Sequence, residues 1–143
     1  MNWIHWSLLS AFFAGLTAIL AKVGVTGVDS NLATAIRTTV ILVFAWTIAW
    51  VVAKPAAMAS FSGRTWLFLT LSGIATGLSW LCYFRALQLG EASRVAPIDK
   101  LSVVFVILLA ALFLKEKMTF QHVIGGMLIL SGAVVMAWKS GKT

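Results

Sequence analysis

Thr65 to Phe84, TWLFLTLSGIATGLSWLCYF, is a run of twenty residues without a single charge. At 1.5 Å per residue, a helix of that length covers about 30 Å, the thickness of a bilayer's hydrocarbon core. In lipid the backbone must satisfy its own hydrogen bonds, so the run reads as a transmembrane helix. Arg85 to Leu89 extend it, which places this span at residues 65–89 with Gly90 as its stop.

Comparable apolar runs flank it. Helices are expected at about residues 3–21, 31–53, 96–114 and 120–138. Gly24, Gly27, Asp29 and Ser30 supply turn chemistry after the first, and Asp29 or Ser30 can cap the second. The second stops at Lys54-Pro55, because the residue before a proline disfavours helical geometry. Thr119 is the expected cap of the last. The 96–114 helix is the least regular: Leu101 to Leu114 offers only fourteen uncharged residues, too few to span. Starting it at Ser93 or Ala96 restores the span, with Pro97 in the first turn, where a missing amide hydrogen costs little, and Asp99 and Lys100 at headgroup level. The fold class is therefore all-α: a polytopic membrane protein with about five transmembrane helices, residues 1–143 making one domain. Met1 to Ala21 lacks the basic start of a signal peptide and reads as a retained first helix.

Composition agrees. The 143 residues are 61% hydrophobic and 10% charged, against about 25% charged in soluble domains, and mean hydropathy is +0.99. The formal charge of +7 is scattered between apolar runs, a pattern suited to lipid headgroups and not to nucleic acid. Of seven tryptophans, Trp3, Trp6, Trp50, Trp66 and Trp138 lie near the ends of apolar runs, where indole favours the interface; Trp46 and Trp80 lie deeper. Cys82 is the only cysteine and reads as a packed side chain, so no intrachain disulfide and no CxxC metal or redox motif is available.

With five spans the termini lie on opposite faces. The face of the N-terminus carries Lys54, Arg64, Lys115 and Lys117; the other carries Lys22, Arg94, Lys139 and Lys142, joined by Arg85 and Lys100 if residues near helix ends are counted. Orientation follows the side richer in Lys and Arg, and the near balance suits either dual topology or a weak bias with the C-terminus inside.

Arg37 lies six residues into the second expected helix, about 9 Å along it, where a charge costs at least ~2.5 kcal/mol at the bilayer centre. It either snorkels or serves a site, and Asn31, Thr34 and Thr38 are its expected companions. Thr65, Ser72, Thr76, Ser79 and Tyr83 recur at helical spacing and share one face. That face is either interhelical glue or, with Trp80, one wall of a substrate path. Arg85 and Lys100 complete the candidate path, Lys100 beside a neighbour, Asp99, that is not automatically its ion partner. Gly73 and Gly77 form a GxxxG pair, and Gly125, Gly126, Gly132 and Ala133 put small residues on the last helix at seven-residue spacing, a packing surface for a dimer. His5 and His122 sit at helix starts. Asp29, Glu91, Asp99 and Glu116 are the only acids, all near helix ends. No catalytic constellation, metal-ligand pattern or cofactor motif emerges, which argues against an enzyme.

The segments Tyr83-Phe84-Arg85-Ala86 to Ala92-Ser93-Arg94-Val95-Ala96, then Leu114-Lys115-Glu116-Lys117 and Gln121 to Gly125 to Gly132, together with Arg37 in Ala35-Ile36-Arg37, resemble the EamA-type drug/metabolite transporters. Larger members are similar to two five-helix units fused in opposite orientation around a transport path. The resemblance implies that this single unit works as an antiparallel homodimer or with an oppositely oriented paralogue, moving a small-molecule substrate across a cell membrane, most naturally a bacterial inner membrane. Val103 stands where the family often has a proline, and the first helix lacks the membrane glutamate of the related small multidrug-resistance exporters. That absence, with more cations than acids in the spans, favours an anionic, zwitterionic or neutral metabolite over a cationic drug.

Overall fold

The computed structural model describes residues 2–53 and 55–138. Lys54, Lys139 and Lys142, used above in the charge balance, lie outside the described residues. The elements are α1 (Trp3–Gly24), α2 (Ser30–Val52), a 3-10 turn (Pro55–Ser60), α3 (Gly63–Leu89), α4 (Ala92–Asp99), α5 (Ser102–Phe113) and α6 (Phe120–Ala137). Five helical segments are long and apolar enough to cross a membrane, α4 and α5 counting together as Ala92–Phe113. There is no strand among the described residues, and the chain is an all-α, polytopic membrane protein.

The helix expected from Ser93 or Ala96 to residue 114 starts at Ala92 and breaks in the middle. Pro97 falls well inside α4 and not in its first turn, and with no amide hydrogen it cannot bond back along the helix. Past it the ladder tightens: Leu101 N donates to Ile98 O at 3.0 Å, Val103 N to Lys100 O at 3.0 Å and Val104 N to Leu101 O at 2.9 Å. These three-residue bonds make a 3-10 joint at Lys100-Leu101. Counted from Ala92, Asp99 and Lys100 lie about 10 to 12 Å along the helical segment.

Local signals account for the other ends. Asp29 Oδ1 accepts from Asn31 N at 2.9 Å and from Leu32 N at 3.1 Å, capping α2. Gly27 takes φ +75° in the preceding turn, a left-handed backbone that glycine adopts freely. Thr119 and His122 close a capping box on α6, so His122 has a structural task. Lys115, at φ 55°, supplies the left-handed residue that lets α5 stop.

The chain groups into two compact units. In residues 20–88, the end of α1, the start of α2 and the end of α3 bury Ala21, Val25, Ser30, Thr34, Phe84 and Leu87. Lys22 Nζ donates to the Leu87 carbonyl and Gln88 Nε2 to the Val28 carbonyl, tying α3 to α1 and to the loop before α2. In the other unit, residues 2–19 and 89–138, α6 packs against α4 and α5. Gly126 faces α5 there, and a Cβ at that position would make ordinary contact with Ile107 Cδ1 at 3.7 Å.

Candidate functional site

Residues Ser30, Thr34 and Arg37 recur at four and three, so they lie on one stripe of α2. Ser30 and Thr34 are buried and Arg37 is half-buried. On α3 the residues Trp80, Phe84 and Leu87 make the same four-three spacing. The two stripes meet at the guanidinium: Arg37 Cζ lies 4.3 Å from the centroid of the Trp80 ring and 5.5 Å from that of Phe84. Both distances fall within the range of a cation–π interaction, and Trp is the strongest partner for one. The Tyr83 side chain lies within electrostatic range of the guanidinium as well. This explains why Trp80 lies so deep in its helix, whereas Trp46 is simply exposed.

Of the seven residues expected to line a path, the structure brings Arg37, Trp80 and Tyr83 together. Thr76 and Ser79 are exposed on the neighbouring stripe. Arg85 turns away to donate from Nη1 to Gln88 Oε1 at 2.9 Å. Lys100 belongs to the other unit and pairs with Asp99 Oδ2 at 3.5 Å. Of the expected companions of Arg37 only Thr34 is buried; Asn31 and Thr38 are exposed, and so is Cys82, which was expected to be packed. Phe84 is the residue that sequence reasoning missed. Its signal was the step of four from Trp80, which puts both rings on one face, but an isolated Phe in an apolar run looks like any other.

The hydroxyls do not bridge helices where their bonds are resolved. Thr34 Oγ1 donates to Ser30 O, Thr38 Oγ1 to Thr34 O and Thr76 Oγ1 to Ser72 O, at 2.8, 2.8 and 2.9 Å. Each bond returns one turn down its own helix. The proton is occupied while the oxygen remains an acceptor.

The small residues of α6 divide. Gly126 and Ala133 are buried within the chain, while Gly132 is exposed and Gly125 half-exposed. Beside Gly126, α5 and α6 frame an apolar cleft of about 150 Å³, lined in part by Ile107, His122 and Leu130. No group of three or more His, Cys, Asp or Glu that could hold a metal ion occurs among the described residues.

Comparison with known proteins places these features in a family. The model of the EamA-like transporter family matches residues 1–138. An uncharacterized transporter in the cobO 3' region of a Sinorhizobium species is 52% identical over 136 residues, covering 95% of this chain and 96% of that protein. Probable 4-amino-4-deoxy-L-arabinose-phosphoundecaprenol flippase subunits ArnE of Yersinia pestis and Yersinia pseudotuberculosis are 34% identical over 71 residues, covering 50% of this chain and 62% of theirs. No solved structure gives a significant match.

Proposed function

The chain belongs to the EamA-like transporter family, and from that membership we propose a small secondary transporter in which two copies of opposite orientation line one path for a small organic solute. Access alternates between the two sides of the membrane. Residues 1–143 act as one five-helix unit, in a bacterial inner membrane, without a catalytic step. The observation that supports this best is Arg37: a half-buried cation, about 10 Å along a membrane-spanning helix from Ser30, held by two rings. Cations placed so within a membrane line solute or ion pathways far more often than they face lipid. The near balance of basic residues between faces suits insertion both ways round, and inverted pairs are a common transporter plan.

A second reading is favoured by the ArnE relatives, each named as a subunit: the chain pairs with an oppositely oriented paralogue, or serves a larger complex without transporting. Flux into proteoliposomes and assembly state, measured together, separate the readings. For a transporter, Arg37→Gln and Tyr83→Phe lose flux while the dimer persists; for a structural subunit they lose assembly. Labelling a C-terminal cysteine from each side, in a Cys82→Ser background, tests orientation. Label from one side only would sink the antiparallel homodimer.

A further inference from the structure

Among the described residues no acid pairs with Arg37. There are four acids. Asp29 caps α2, Glu91 pairs with Arg94 at 3.1 Å, Asp99 pairs with Lys100, and Glu116 lies beyond the end of α5 in the other unit. Of the other polar side chains at these helix ends, Tyr83 lies within electrostatic range of Arg37, Lys22 bonds the Leu87 carbonyl, Gln88 the Val28 carbonyl, and Arg85 Gln88. Trp80 and Phe84 offer ring faces to the charge, but neither supplies a lone pair to the five N–H donors of a guanidinium. Among the described residues, none accepts a hydrogen bond from Arg37.

From this we propose that Arg37 binds the oxyanion of the solute, a carboxylate or phosphate, through its N–H donors, with Trp80 and Phe84 fixing the guanidinium in place. The inference rests on the transporter reading for the word solute, and narrows its substrate class to organic anions. A guanidinium matches such groups with two parallel N–H···O bonds, which a lysine ammonium cannot reproduce. A cation held by rings on a packed helix end is ordered before the ligand arrives, so little freedom is lost on binding. Lipid phosphate offers the same chemistry as a soluble anion, and the two sources need separate arms of one experiment.

The test is equilibrium dialysis of radiolabelled benzoate and its neutral isostere benzamide against the full chain in phosphatidylcholine nanodiscs, with phenyl phosphate as competitor. Benzoate should bind at least about tenfold more tightly than benzamide, the factor supplied by one hydrogen bond to a charged group. Arg37→Gln should abolish that preference, and Arg37→Lys should lose most of it while keeping the charge. Arg64→Gln, which removes the cation over Phe68 near the start of α3, should retain it and controls for general loss of positive charge. Equal binding of the two probes by wild type, survival of the preference in Arg37→Gln, or full retention in Arg37→Lys would overturn the proposal. If phospholipid phosphorus stays with detergent-purified wild type but not with detergent-purified Arg37→Gln, and wild type in detergent binds benzoate only after that lipid is stripped, the occupant is a lipid phosphate and the solute assignment falls. Dialysis needs no transport, so the two readings fail separately: binding with no flux refutes the transporter, and flux without an anion preference refutes this site.

Discussion

Replacing Arg37 and Trp80 singly and together should reveal a coupling free energy of about 1 to 2 kcal/mol between them. The perturbations are Arg37→Met, which keeps most of the apolar stem, Trp80→Leu, and the double variant. The size follows from geometry. Cation–π pairs contribute roughly 0.5–1 kcal/mol when exposed and about 2 when desolvated; here both partners are half-buried and Cζ lies 4.3 Å from the ring centroid. The same cycle on Arg37 and Phe84, at 5.5 Å, should give less, near the ~0.5 kcal/mol end. Arg64 and Phe68, at 5.7 Å with Phe68 58% exposed, provide an internal standard that should be weakest of the three. Single-variant losses are no guide, because Trp80→Leu and Phe84→Leu also remove packing; the cycle subtracts that part. Reversible unfolding by sodium dodecyl sulfate in mixed micelles supplies the free energies. A coupling for Arg37 and Trp80 under about 0.3 kcal/mol, the usual scatter of additivity, or one no larger than for Arg64 and Phe68, would refute the reasoning that the rings hold the guanidinium.

Leu87 is fully buried, and Leu87→Ala should cost about 2 kcal/mol in the same titration, the low end for such a truncation because lipid, unlike water, does not penalise the exposed chain; a loss under ~0.5 kcal/mol would show that this end is not a packed core. Asp29→Ala removes the acceptor of two amides and should cost about 1 kcal/mol, with Asp29→Ser recovering most of it; equal losses for the two variants would argue against a capping role. Gly126→Ala places its Cβ in ordinary contact with Ile107 and should leave stability within about 1 kcal/mol of wild type. Gly126→Leu should destabilise the protomer, whereas Gly132→Leu, on the exposed side, should dissociate a homodimer that packs through α6. Light scattering distinguishes those two outcomes, and a dimer that survives Gly132→Leu excludes that surface as the interface.

Hydrophobicity and turn chemistry made most of the fold readable in advance. Spans without charge identify themselves by length, and Asp29, Gly27 and Thr119 mark their boundaries through local bonds that depend on nearby residues only. The expected starts and ends differ from the observed ones by up to four residues, and the largest difference has a definite cause. Pro97 is tolerated in a first turn, but the helix extends back to Ala92, and the disturbance appears downstream at Lys100-Leu101. The site was half readable. A lone arginine in an apolar run stands out, and so does a deep tryptophan. What joins them is the register of α2 against α3, a tertiary property that no periodicity within either helix contains. Phe84 was hidden for that reason. Arg85 and Lys100 each have a neighbour in sequence, Gln88 and Asp99, that engages it.

The buried residues of the unit 20–88 all lie at one end: the last turns of α1, the first turns of α2 and the last turns of α3. The Lys22 and Gln88 bonds to backbone carbonyls close that end. Arg37 comes one turn beyond Thr34, where this packing stops, and from there the faces of α2 and α3 open. Val40, Leu42, Val43, Phe44 and Leu78 are all more than half exposed, which lipid tolerates. Ser72, Thr76 and Ser79 are exposed too, and lipid does not reward hydroxyl oxygens that retain acceptor capacity. A hydrated path or a second protein surface is the environment that satisfies them. The guanidinium therefore stands where a packed base meets a polar, exposed stripe; on the proposed reading, a solute anion would gain a fixed donor array at one end of a face whose other wall a partner of opposite orientation would provide.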